Sequence, residues 1–244
     1  MNDYKLDAEG SFQSEIQLES KMNFFQRLAG IIFSPTKTLM DLIAKPRLLF
    51  PILSSAFGML LFYLLRYDLY KDYMRDSLER VASTTEALTP DQIEALLDMS
   101  AIAGLISTPF ITLIVWALSG LVLFCIAKLF KGEGRFNQYL SIVGYCGVIT
   151  LLFYAISAGV SFFTGQLMFD ASMANITNLI IPDMKGSYFY GIIRSISFFT
   201  IWYYVLVGVG ISLVSKLSKP KVFSMVAFVL IVEALINAAE FRYF

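Results

Sequence analysis

Glu233, Asn237 and Glu240 follow one another at steps of four and three residues in the last apolar stretch of the chain, Val222–Ala239 and its continuation. That spacing puts all three on one face of a helix. Glu233 lies eleven residues into the stretch, or about 17 Å at ~1.5 Å per residue. In a bilayer that is near the middle, where an ionised acid is costly. The face must then point into a helix bundle. Two roles suit Glu233: a proton-coupled site, or a protonated acid hydrogen-bonded to hydroxyls, amides or water. A transport site normally needs several converging polar groups, which favours the second. Arg194 precedes the fourth apolar run and sits about 31 Å from its inner end at ~1.5 Å per residue. Glu240, about 27 Å along its own helix, matches that depth, so the expected pair is Arg194–Glu240.

The second candidate is "KGEGRFNQYL", Lys131–Leu140. Two glycines beside Lys and Arg can cradle a phosphate or simply make a tight turn. A phosphate loop wants a strand before it and a helix N-terminus aimed at the ligand. An apolar helix precedes this one, so Gly132 and Gly134 are expected to supply turn flexibility. Phe136 is expected to anchor the helix that follows.

Most other chemistry is excluded by residue type. The chain has no His, which removes the commonest general base, the Ser-His and Cys-His nucleophile pairs, and His-ligated zinc. Cys125 and Cys146 lie in separate apolar runs and match no metal spacing. No Gly-x-Ser-x-Gly elbow occurs. The acids of segment 67–100 are spread around helix faces without a glycine-containing Asp-x-Asp loop, so a solvated hairpin is expected there rather than a metal cluster. Asn175 opens an "NIT" glycosylation pattern, a weak signal by itself. The expectation is no enzyme, no cofactor and no metal. The zero net charge of the chain gives no footprint for nucleic acid.

The elements that position these residues follow from composition. Of 244 residues, 57% are hydrophobic and 16% charged, with mean hydropathy +0.67. Soluble domains run at about 45–50% and about 25%. The chain therefore reads as an all-α polytopic membrane protein, a five-helix bundle with spans near 48–66, 104–130, 138–163, 190–215 and 221–240. Residues 1–23 read as a disordered cytosolic tail. Residues 24–47 read as an interfacial amphipathic arm, with Phe24, Phe25, Leu28, Ile31 and Ile32 on one side and Arg27, Lys37, Lys45 and Arg47 facing headgroups. Ser34 and Pro35 open the arm's second helix, and Pro46 ends it. Residues 48–244 form the membrane domain.

Between the first two spans an outer helical hairpin is expected, with a capping box at Thr89–Gln92 and one-turn pairing of Arg75 with Glu79. Thr108 and Pro109 read as a helix start, or as a kink in a longer helix. Twelve of the nineteen Lys and Arg fall on the N-terminal side of this topology. The bias puts the N-terminus in the cytosol and the C-terminus outside a cell membrane. Ser54/Gly58, Ala155/Gly159, Gly208 and Gly210 read as close helix contacts, and Trp202, Tyr203 and Tyr204 as bundle packing.

The sum of "FSPTKTLMDLIAKP", the "GEGRF" loop, "VGYCGV" and "WYYVLVGVGISLVSKLSKPKV" resembles the Yip-domain family, the Ypt/Rab-interacting multi-pass membrane proteins, and within it a bacterial branch. The matching positions are Pro35, Gly132, Gly134, Phe136, Gly144, Tyr145, Trp202 and Gly208. The resemblance covers roughly residues 24–240. Eukaryotic members act in vesicle traffic by binding small GTPases and one another, and they carry an N-terminal acidic-aromatic motif with a Gly-Pro that is not visible in this sequence. What the resemblance implies is the architecture and a non-enzymatic accessory role toward a membrane partner, such as an export ABC transporter. The alternative is a small proton- or ion-coupled carrier using Glu233. The lipid bilayer is a partner in either case, and a homo-oligomer is compatible with both.

Overall fold

The computed structural model describes residues 22–85, 89–165 and 195–242, with Phe189, Ile192 and Ile193. Within helices, the side chains of Arg80, Val81, Ser83–Thr85, Asn237 and Ala239–Arg242 fall outside that description. The tail 1–21, Asn175 and Arg194 also lie outside the described residues, and so does the pairing expected of Arg194 with Glu240.

The described elements are α1 (Phe24–Phe33), α2 (Pro35–Ala44), α3 (Leu49–Leu65), α4 (Tyr67–Thr85), α5 (Pro90–Leu129), α6 (Phe136–Cys146), α7 (Val148–Thr164), α8 (Phe198–Ser215) and α9 (Lys219–Arg242). The fold is all-α. Three helical stretches are long and apolar enough to cross a membrane: α5, α6 with α7, and α8. A fourth is reached if α3 and the start of α4, bent by 96° at their junction, count as one span.

Helix α6 is the hub. Every residue from Tyr139 to Cys146 is buried, and α6 packs on α1, α2, α3, α5, α7 and α8. A segment with no charge and small residues on two faces can accept neighbours all round. A side chain at Gly144 would collide with the Pro51 ring of α3 and come within 2.8 Å of Trp116 Nε1. The Trp116 indole N–H of α5 instead donates to the Leu140 carbonyl at 3.2 Å. The long apolar run from Phe136 is not one helix. It breaks at Gly147, between α6 and α7.

Two expected boundaries differ. The second span and the second arm of the outer hairpin are one 40-residue helix, α5. Pro109 is accommodated inside it, and around it the Thr108 and Thr112 hydroxyls donate back to the Gly104 and Thr108 carbonyls at 2.7 and 2.8 Å. The fourth span is represented by a helix that starts at Phe198. Ser197 is its N-cap, its hydroxyl accepting from the Thr200 N–H at 3.0 Å.

The hairpin is held across its two helices. Lys71–Asp98 and Arg75–Glu94 close at 2.5 and 2.8 Å, and the Tyr70 hydroxyl donates to the Ala101 carbonyl at 3.2 Å. Arg75 thus reaches across to α5 rather than along its own helix to Glu79, because the neighbouring helix brings Glu94 closer. The capping box at Thr89 and Gln92 forms in both directions. At the corner, Arg66 donates to the Ser161 hydroxyl at 2.9 Å and lies 4.7 Å over the Phe162 ring.

The arm is the largest departure. Arg27 does not face headgroups. It is fully buried, and its Nε and Nη2 meet Asp41 Oδ2 at 2.6 and 2.5 Å. Ile31, Leu39 and Leu42 are also fully buried, and Leu39 seats against Gly210 of α8. The ion pair neutralises the one cation that would otherwise keep this face of α1 in water, so the arm folds into the bundle. Lys37, Lys45 and Arg47 remain exposed.

Candidate functional site

The polar features that the sequence singled out separate into a clasp and a cavity. The clasp is the turn after α5. Lys131 adopts a left-handed φ of 61° and Gly134 a φ of 91°. The second suits glycine alone among common residues. The backbone N–H groups of Lys131 and Gly132 donate to the carbonyls of Lys128 and Ala127 at 2.9 and 2.8 Å. That of Glu133 donates to Ser215 at the end of α8 at 2.9 Å, and that of Arg135 to Gln138 Oε1 at 2.7 Å. Four of the loop amides are thus engaged within the protein.

Side chains complete the clasp. The Glu133 carboxylate pairs with Lys216 at 2.7 Å. The Tyr139 hydroxyl donates to the Glu133 carbonyl at 2.8 Å. Gln138 reaches the Ile43 carbonyl of the arm at 2.8 Å. Phe136 opens α6 and packs against Phe124 with ring centroids 5.6 Å apart. The turn therefore ties together α2, α5, α6 and α8. Lys45, Arg47, Lys128, Lys131, Arg135, Lys216, Lys219 and Lys221, on the turn and on the ends of the elements next to it in the chain or bonded to it, are exposed, a basic rim in which Glu133 offsets Lys216.

The other recognised positions pack the bundle. Pro35 is the first residue of α2. Tyr145 is buried against Phe50, centroids 5.0 Å apart. Trp202 packs at a tilt against Phe198, ring centroids 5.5 Å apart. A side chain at Gly208 would come 2.9 Å from the Phe223 ring of α9, and one at Gly58 would press on Leu151 of α7. Gly159 differs: among the described residues nothing lies within 4 Å of a Cβ placed there, and Ala155 is exposed. The buried face of α7 runs instead through Ser157, Ala158 and Ser161.

The cavity has a volume of about 860 Å³ and is lined from α3, α5, α6, α7, α8 and α9. Its one charged residue, among the described residues that line it, is Glu233. The Tyr204 hydroxyl of α8 donates to the Glu233 carboxylate. Asn237 and Glu240 continue α9 beyond Glu233, and their side chains fall outside the description. Tyr204 is the partner that sequence reading passed over. Depth matching could have found it, since Glu233 near the middle of α9 must face the middle of an antiparallel α8. Among the described residues, no group of three or more His, Cys, Asp or Glu could hold a metal ion.

Neither the comparison with curated proteins nor that with solved structures returned a match. A family model, that of the Yip1 domain, matches residues 29–239, from the middle of α1 almost to the end of α9. With the clasp, most of the arm and nearly all of the bundle inside that match, the chain belongs to the Yip1 domain family of multi-pass membrane proteins.

Proposed function

We propose that this is a non-enzymatic accessory protein of a cell membrane that docks a membrane-protein partner, the subunits of an ABC-type exporter being the leading class. The observation that carries it is the basic rim. Buried Arg27–Asp41 joins the two helices of the arm and the Gln138–Ile43 bond joins the arm to the clasp, so exposed Lys45, Arg47, Lys131 and Arg135 stand on one rigid base. A preorganised charged surface steers and orients a partner at little ordering cost. Five spans, a cytosolic N-terminus and an external C-terminus are the topology that accompanies this reading, with domain limits at 1–23, 24–47 and 48–244.

A photo-crosslinking residue at position 135 tests it. It should capture an exporter subunit from intact membranes, and the same probe at Asp91 of the outer hairpin should not. Charge reversal at Arg47 and Lys131 should weaken that capture about tenfold or more. Equal capture from both positions, or only self-crosslinks, would sink the reading.

A second reading is a small proton- or ion-coupled carrier, favoured by the Glu233–Tyr204 contact in a cavity reached by six helices. Flux into liposomes that is the same for the parent and Glu233→Gln would reject it.

A further inference from the structure

The cavity gives Glu233 a ligand chemistry. At about 860 Å³ it falls within the ~300–1,000 Å³ of small-molecule sites. Its walls are chiefly aliphatic and aromatic, with Trp116, Phe153, Tyr154 and Phe199 among them. Several of its hydroxyls are already engaged: Ser54, Thr112 and Ser119 donate to carbonyls of their own helices at 2.8–3.2 Å, and Ser197 bonds Thr200 at 2.8 Å. Glu233 is different. The Tyr204 hydroxyl supplies it one hydrogen bond but no opposite charge, and no Lys or Arg is present among the described lining residues. Glu233 is exposed within the protein fold rather than enclosed by the bundle; held against apolar walls at membrane depth, a carboxylate attracts a counter-ion, and aromatic faces attract cations as well. An anionic ligand would meet like charge at Glu233. A neutral one would leave the carboxylate uncompensated.

We propose that the cavity binds a lipophilic ammonium ion, its amine on the Glu233 carboxylate and its hydrocarbon or aromatic body along the wall formed by Trp116, Phe153 and Phe199. The amine can belong to a free organic cation or to an aminolipid headgroup. The assignment needs neither a partner nor a gradient, so it stands or falls apart from both readings above.

The chain has two tryptophans, and of these Trp116 lines the cavity. In a Trp202→Phe background Trp116 alone reports. The full chain in an uncharged maltoside detergent is titrated with a terminally brominated long-chain alkylamine, whose bromine quenches indole fluorescence. The matched bromoalcohol and bromocarboxylate serve as controls. The amine should quench saturably, at least tenfold more tightly than the alcohol, and Glu233→Gln should erase that tenfold preference. Ser55→Phe, which fills the cavity, should abolish quenching by all three. Amine and alcohol binding alike in the parent would overturn the assignment even if Glu233→Gln fails to fold. So would a Glu233→Gln protein that keeps the preference. Mass spectrometry of the purified parent separates the two sources. An aminolipid retained by the parent and lost in Glu233→Gln identifies the headgroup, and amine binding without retained lipid identifies a free cation.

Discussion

Arg27 and Asp41 show how one pair of residues fixes the placement of a whole segment. A buried ion pair is costly to half-remove, because the survivor is left as an uncompensated charge. Arg27→Met or Asp41→Leu alone should destabilise the protein by about 3–5 kcal/mol. The double variant should recover most of that, since two apolar side chains of similar volume replace both charges. Thermal unfolding in detergent, monitored by circular dichroism, would check it. Equal losses in single and double variants would mean that the pair contributes no mutual compensation. Gly144 and Gly159 make a second contrast. Gly144→Ala pushes a methyl into Pro51 and Trp116, an overpacking that costs about 1–3 kcal/mol. Gly159→Ala meets open space in a helix and should gain about 0.5–1 kcal/mol. The two substitutions should move the melting temperature in opposite directions. Movement in the same direction would contradict the packing assigned to α6.

The outer hairpin of α4 and the start of α5 is the element where charge can be read through pH. The Arg66 guanidinium holds the Asp68 carboxyl below its usual range, chiefly by hydrogen bonding. The hydrogen bond from Lys71 to Asp98 raises the Lys71 amine above its usual range. The depressed acid gives a contribution present above its unfolded pKa of about 3.9 and lost as pH falls through the lower folded value. The raised amine gives one complete below about 10.4 and lost as pH rises through the higher folded value. Hydrogen exchange in α4 should therefore show protection that is flat from about pH 5 to about 9 and decays outside that window. A step inside the window would show that other groups hold the hairpin. Pro109, by contrast, ends nothing here: α5 runs through it from Pro90 to Leu129.

For the whole molecule, the length of α5 sets the shape. Forty residues extend about 60 Å at ~1.5 Å per residue, twice the ~30 Å of hydrocarbon in a bilayer. The proposed topology places its charged N-terminal end, which α4 covers, beyond the membrane. In a background with both native cysteines replaced by serine, Asp91→Cys should be labelled by an impermeant maleimide in intact cells. Lys131→Cys should be labelled only after permeabilisation. Reversed labelling would invert the topology proposed from the Lys and Arg bias.

Composition alone set the class: an apolar content this high, in runs this long, leaves only helices able to satisfy their backbone groups in lipid. Local signals placed the starts at Ser34–Pro35 and Thr89–Pro90 and the turn at Gly132–Gly134, because capping and backbone freedom are short-range properties. Glu233 was visible as a polar group where none is cheap. Its partner Tyr204, twenty-nine residues away, was not, since helix pairing is decided by packing. The same holds for Arg27: a cation on an amphipathic helix looks solvated until Asp41, fourteen residues on, is folded against it. The cavity, gathered from six helices, likewise exists only in the tertiary structure. A span's sequence records how apolar it must be, but not which neighbour each of its faces will meet.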